Sequence, residues 1–66
     1  MGFFDLPTNW IFIEYEDGER KNVANCDVLD RKMAEKYKVN WEKPNRKVVK
    51  VTLETPHKNV IKAFIF

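Results

Sequence analysis

Sixty-six residues support one hydrophobic core and no second domain. A hydrophobic content of 44%, with five Phe, two Trp and two Tyr, excludes an intrinsically disordered chain. The net charge of +2 is mild for a domain built around phosphate backbones, and the single cysteine, Cys26, excludes an internal disulfide or a Cys-rich zinc site.

The chain reads as a single domain, 1–66, with residues 1–9 as an apolar lead segment. Met1-Gly2-Phe3-Phe4-Asp5-Leu6 has neither the basic start nor the long apolar core of a secretory signal. Leu6 stands where a myristoylation motif beginning at Gly2 requires Ser or Thr. No stretch reaches membrane-spanning length, so the expectation is a cytoplasmic protein with no membrane partner. Phe3, Phe4 and Leu6 are expected to dock on some apolar surface.

Trp10 to Glu16 is β-branched and aromatic, breaks at Asp17-Gly18, and resumes over Arg20–Ala24, which predicts a β-hairpin. A two-residue turn would set Phe12 opposite Val23 and Glu14 opposite Lys21. A type I turn with a bulge at Gly18 would set Ile11 opposite Val23 and Glu14 opposite Arg20. The second register is favoured because it keeps Glu16 from directly facing Glu19.

Asp27 is the expected helix N-cap, with Asp30 adding charge suited to the positive end of the helix dipole. Leu29, Met33 and Tyr37, with Ala34 beside them, form a narrow apolar stripe. Asn40 and Pro44 are expected to end the helix, with Val39 and Trp41 folding back onto the core. Arg46–Glu54 then alternates as a strand, Thr55–Asn59 has turn chemistry, and Val60–Phe66 alternates again. The predicted fold is α+β, a single small domain of order β-β-α-β-β with an antiparallel sheet and one helix on one face. A small SH3-like barrel is the competing architecture.

One helix covers one face of a sheet. The aliphatic sets Ile11/Ile13, Val49/Val51/Leu53 and Ile61/Ala63/Ile65 are assigned to that covered face. The opposite face then collects Trp10, Phe12, Val48, Phe64 and Phe66, with Lys50, Lys62 and Glu14 among them. An apolar cluster of this kind is covered by the lead segment or by barrel closure, or else it marks a partner surface. Interleaved aromatics and lysines also suit single-stranded nucleic acid, although the glycine-bounded aromatic signature of RRM domains is absent.

Reactive chemistry is not visible. Gly2 and Gly18 cannot build a phosphate-cradling loop. His57 stands alone in a predicted turn, and Asp27 and Asp30 are accounted for by capping. Cys26 lies beside the presumed N-cap, where a helix dipole could activate a thiol, but no histidine or second cysteine accompanies it, so packing is the expected role. The basic run Lys43, Arg46, Lys47 and Lys50 reads as a solvated loop and strand edge.

The sequence therefore predicts a protein that is not an enzyme, with no catalytic residues, no metal site and no cofactor. The expected role is protein binding, as a small inhibitor or adaptor of the kind that phages and mobile elements encode. Trp10, Phe12, Phe64 and Phe66 are the expected anchors, and Lys50 and Lys62 the orienting charges. The expected partner is another protein or a second copy in a homodimer, with single-stranded nucleic acid as the alternative on the same surface.

Overall fold

Gly18 adopts a φ of 94°, the left-handed backbone that closes a three-residue loop, and Tyr15 and Glu19 meet across it through the Tyr15 N–H and the Glu19 carbonyl at 2.8 Å. This turn joins β1 (Trp10–Tyr15) to β2 (Arg20–Asn25) and sets Glu14 opposite Arg20, the favoured register. Farther along, a bulge at Val23 shifts the pairing, so Ile11 faces Ala24 instead of Val23. The computed structural model describes residues 8–66, so Phe3, Phe4 and Leu6 lie outside the described residues.

The helix α1 (Arg31–Trp41) is capped by Asp30, whose carboxylate accepts the Met33 N–H at 2.8 Å. Asp27 is not the N-cap. Its carboxylate accepts the Asn9 N–H at 3.2 Å, and the Cys26 N–H donates to the Asn9 carbonyl, so this pair ties the start of β1 to the end of β2. Leu29 just before the cap and Ala34 in the first turn are both buried, which fixes the angle at which the chain turns into the helix. Met33 and Tyr37 pack against the core from the same stripe. The helix continues through Asn40 to Trp41. Val39 is 72% exposed and Trp41 37%, so neither side chain folds back onto the core; only the Trp41 backbone carbonyl reaches it, accepting the Tyr15 hydroxyl at 2.8 Å.

Strands β3 (Val48–Glu54) and β4 (Val60–Ile65) complete an antiparallel four-stranded sheet of order β2-β1-β3-β4. The fold is α+β with order β-β-α-β-β, as expected from the sequence. β2 and β4 lie at opposite edges of an open sheet, so the barrel alternative does not form. α1 packs mainly on β3 and secondarily on β1. The core between them consists of Ile11, Ile13, Tyr15, Leu29, Ala34, Val48, Val51 and Leu53. At roughly 2 kcal/mol per large buried side chain, these contacts dominate the stability of so small a domain.

Bulges redirect two of the predicted strand faces. Tyr15 pairs with Val48 while Glu14 pairs with Lys50, so Val49 is an extra residue, and Val48 joins the buried helix face instead of the outer one. A second bulge at Ile61, between the Leu53–Lys62 and Glu54–Val60 pairs, sets the phase of β4. Val51 then faces Phe64 and Leu53 faces Lys62, which places Phe64, Phe66 and Lys62 on the helix side. Ile61, Ala63 and Ile65 are consequently exposed and are not core residues.

Candidate functional site

Alternation along β1 that buries Ile11, Ile13 and Tyr15 must direct Trp10, Phe12 and Glu14 away from the helix. Their cross-strand partners share that outer face: Trp10 pairs with Glu54, Phe12 with Thr52 and Glu14 with Lys50 on β3, while Arg20 of β2 pairs with Glu14. These residues, with Thr55, Lys58 and Val60 from the β3–β4 connection and the start of β4, line an open cavity of about 480 Å³.

Trp10 and Phe12 meet edge to face, with ring centroids 6.1 Å apart. The Arg20 guanidinium lies 4.5 Å from the centroid of Phe12 and continues across the ring to an ion pair with Glu54. Glu54 is only 5% exposed although no helix covers this face, and its carboxylate also accepts the Thr52 hydroxyl at 3.0 Å. A buried carboxylate requires such partners, because desolvation without them costs several kcal/mol. Arg20, Phe12, Thr52 and Glu54 thus form a fixed floor. Lys50 and Lys58 also line the cavity, and no salt bridge among the described residues engages either of them.

Lys58 carries a φ of 69°, an uncommon conformation for a residue with a side chain. The surrounding turn enforces it: the Lys58 N–H donates to the Thr55 carbonyl at 2.8 Å, and the Thr55 hydroxyl accepts the N–H groups of His57 and Asn59. His57 is an exposed turn residue bonded locally through its backbone.

Of the sequence-predicted anchors, Trp10, Phe12 and Lys50 share the outer face. Phe64, Phe66 and Lys62 do not join them. Both rings pack at the margin of the core, with Lys38 of the helix 5.8 Å from the centroid of Phe66 and Lys62 5.9 Å from that of Phe64. Two phenylalanine rings bury more apolar area beside α1 than Ala63 and Ile65 would, and Lys62 still reaches water at the uncovered edge. Arg20, Thr52, Glu54 and Lys58 were missed by the sequence reading. The Glu14–Arg20 register and the alternation with Val51 and Leu53 already implied the face of the first three.

The basic run separates into distinct roles. The Arg46 guanidinium stacks 4.0 Å from the centroid of Tyr15 and pairs with Asp17 at 3.0 Å and with Glu19. The Glu19 backbone N–H, 3.0 Å from Asp17, and then Arg46 hold the Asp17 carboxyl below its ordinary pKa. The carboxylates of Glu19 and Asp17 push the Arg46 pKa up. Lys38 pairs with Glu42 at 2.6 Å and lowers the Glu42 pKa through that hydrogen bond. Cys26 is half-buried against the core, four residues before the true N-cap, which removes the dipole argument for a reactive thiolate.

Among the described residues, no group of three or more His, Cys, Asp or Glu is placed to hold a metal ion, and no helix is long and apolar enough to cross a membrane. No protein-family model matches the chain, and no curated protein or solved structure matches it.

Proposed function

We propose that the chain is a non-enzymatic protein-binding module, a small inhibitor or adaptor acting in the cytoplasm, that docks its partner on the outer sheet face. The observation that carries this reading is the Trp10–Phe12 pair on the face remote from the helix, with Lys50 and Lys58 beside it at an open cavity. Aromatic anchors flanked by polar and basic groups are the usual centre of a protein interface. The Arg20–Glu54 pair spends its charge internally and braces Phe12 from one side, so the floor of the cavity is rigid before any partner arrives. Such a surface suits a partner that inserts an apolar side chain against Trp10 and presents carboxylates to Lys50 and Lys58.

Single-stranded nucleic acid fits this face less well. Phe64, Phe66 and Lys62 lie on the other side of the sheet, and Arg20 occupies one face of the Phe12 ring that a base would need. Two measurements test the proposal together. Partner binding should weaken by roughly tenfold or more in Trp10→Ser and Lys50→Glu and stay unchanged in Val39→Ala on the exposed side of the helix. Mixed-sequence oligonucleotides should not bind at low salt. Tight oligonucleotide binding that falls steeply with salt would replace this reading with the nucleic-acid one.

A further inference from the structure

β4 is an edge strand whose exposed residues are apolar: Val60 is 59% exposed, Ile61 51% and Ile65 67%, and Lys62 is its only charge. The Phe66 N–H donates to the Val49 carbonyl at 2.8 Å, which fixes the hydrogen-bonding phase of the β3–β4 ladder. Phe64 and Lys62 therefore direct their backbone N–H and C=O groups toward β3, and Ala63 and Ile65 direct theirs toward the open edge. Among the described residues nothing pairs with that edge. Long apolar edges of this kind are usually blunted by charges, proline or bulges. The other edge is so treated: β2 carries Arg20, Lys21 and the Val23 bulge, and the Asn22 side-chain amide donates to the Ala24 carbonyl at 3.0 Å.

We propose that β4 pairs antiparallel with the β4 strand of a second copy, across a two-fold axis centred on Phe64. This register sets Ala63 opposite Ile65 of the second copy, so both outward-facing residues exchange N–H···O=C bonds. It sets Phe64 opposite its own equivalent, and Lys62 opposite Phe66, which keeps the two lysines from facing each other. A second copy's β4 fits better than its β2 edge would, because β2 is basic and bulged at Val23 in mid-strand, whereas the β4 bulge at Ile61 lies outside the paired stretch 62–66, which is self-complementary and closes a symmetric pair. The axis runs normal to the sheet, so the two outer faces lie on the same side. Two Trp10–Phe12 surfaces would then be presented together to one partner assembly. The pairing itself does not depend on the proposed function.

The test is sedimentation equilibrium of the full chain over a concentration series, with far-UV circular dichroism as the folding control. The chain should dimerise. Ala63→Pro removes an outward N–H without touching the β3 ladder, and should weaken the dimer on the order of tenfold to a hundredfold. Should that variant lose its fold, Ala63→Lys/Ile65→Lys replaces two exposed side chains and sets lysine against lysine across the axis, with the same expected loss. Val39→Glu on the helix should leave the dimer intact. A monomeric wild type, or a dimer indifferent to both β4 variants, overturns the proposal.

Discussion

The floor of the outer face depends on one ion pair, and Arg20→Ala should expose that dependence. In the native fold the Glu54 side chain is 7% exposed and its carboxylate is shared between Arg20 and the Thr52 hydroxyl. Removing Arg20 leaves a buried carboxylate with the hydroxyl alone. An exposed pair would contribute about 0–1 kcal/mol, and breaking a fully buried pair costs about 3–5 kcal/mol. Arg20 itself is 44% exposed, so the expected loss lies between these limits, at about 2 kcal/mol, including the contact with Phe12. Glu54→Gln keeps the shape and the Thr52 contact and should cost about 1 kcal/mol. The double variant should cost about 2 kcal/mol instead of the additive sum, because the second change removes the charge that the first left stranded. Urea unfolding followed by circular dichroism should move the Arg20→Ala midpoint down by about 2 M, given a slope near 1 kcal/mol/M for a domain of this size. Two single variants within about 0.5 kcal/mol of wild type, or strict additivity in the double, would refute the floor as described.

Other outcomes follow from the same geometry. Lys58→Gly relieves the left-handed strain at φ 69° and should stabilise the fold by about 0.5–1 kcal/mol, measured by the same urea titration. In a Trp41→Phe protein, acrylamide should quench Trp10 emission, since Trp10 is only half-buried on the open face; an unquenched Trp10 would mean that something covers it. Asp17 and Glu42 have carboxyls held below the ordinary value of about 4. Their stabilisation is therefore complete above that value and is lost as pH falls through the lower folded values. The melting temperature of an Asp17→Asn/Glu42→Gln protein should fall less steeply in acid than that of wild type, and equal slopes would contradict the assignment.

The element order was legible because each segment carries its own local signal. Asp17-Gly18 ends one strand pattern, and the Met33, Ala34 and Tyr37 stripe can only be helical. The register favoured for keeping Glu16 from facing Glu19 is the one formed, with Glu14 opposite Arg20. What the sequence did not reveal was phase. Bulges at Val23, Val49 and Ile61 each insert one residue, and each is a β-branched residue with an apolar neighbour on one side, Ala24, Val48 and Val60, where period-two alternation gives little warning. Strand β4 is the clearest case. Both of its parities are apolar, so Lys62 alone marks a solvent face in the sequence, yet the helix leaves that edge uncovered and a lysine there stays hydrated. The N-cap was misassigned for a related reason: Asp27 and Asp30 are both competent caps, and only the Asn9 contact removes Asp27 from the choice. Of the six residues expected on the outer face, Trp10, Phe12 and Lys50 are there, because they lie on strands β1 and β3, where burial of Ile11, Ile13, Val51 and Leu53 fixes the faces. Arg20 and Glu54 escaped notice because their pairing crosses a whole strand.

The central claim is a division of labour among the aromatics, with Trp10 reserved for a partner and Phe64 committed to the fold. It is tested most directly by measuring unfolding free energy and partner affinity on Trp10→Ala and Phe64→Ala side by side. Trp10→Ala should stay within about 1 kcal/mol of wild-type stability and lose partner binding, whereas Phe64→Ala should lose about 2 kcal/mol of stability and, while folded, still bind. The reverse pattern, with binding surviving at Trp10 and abolished at a stable Phe64→Ala, would contradict the account.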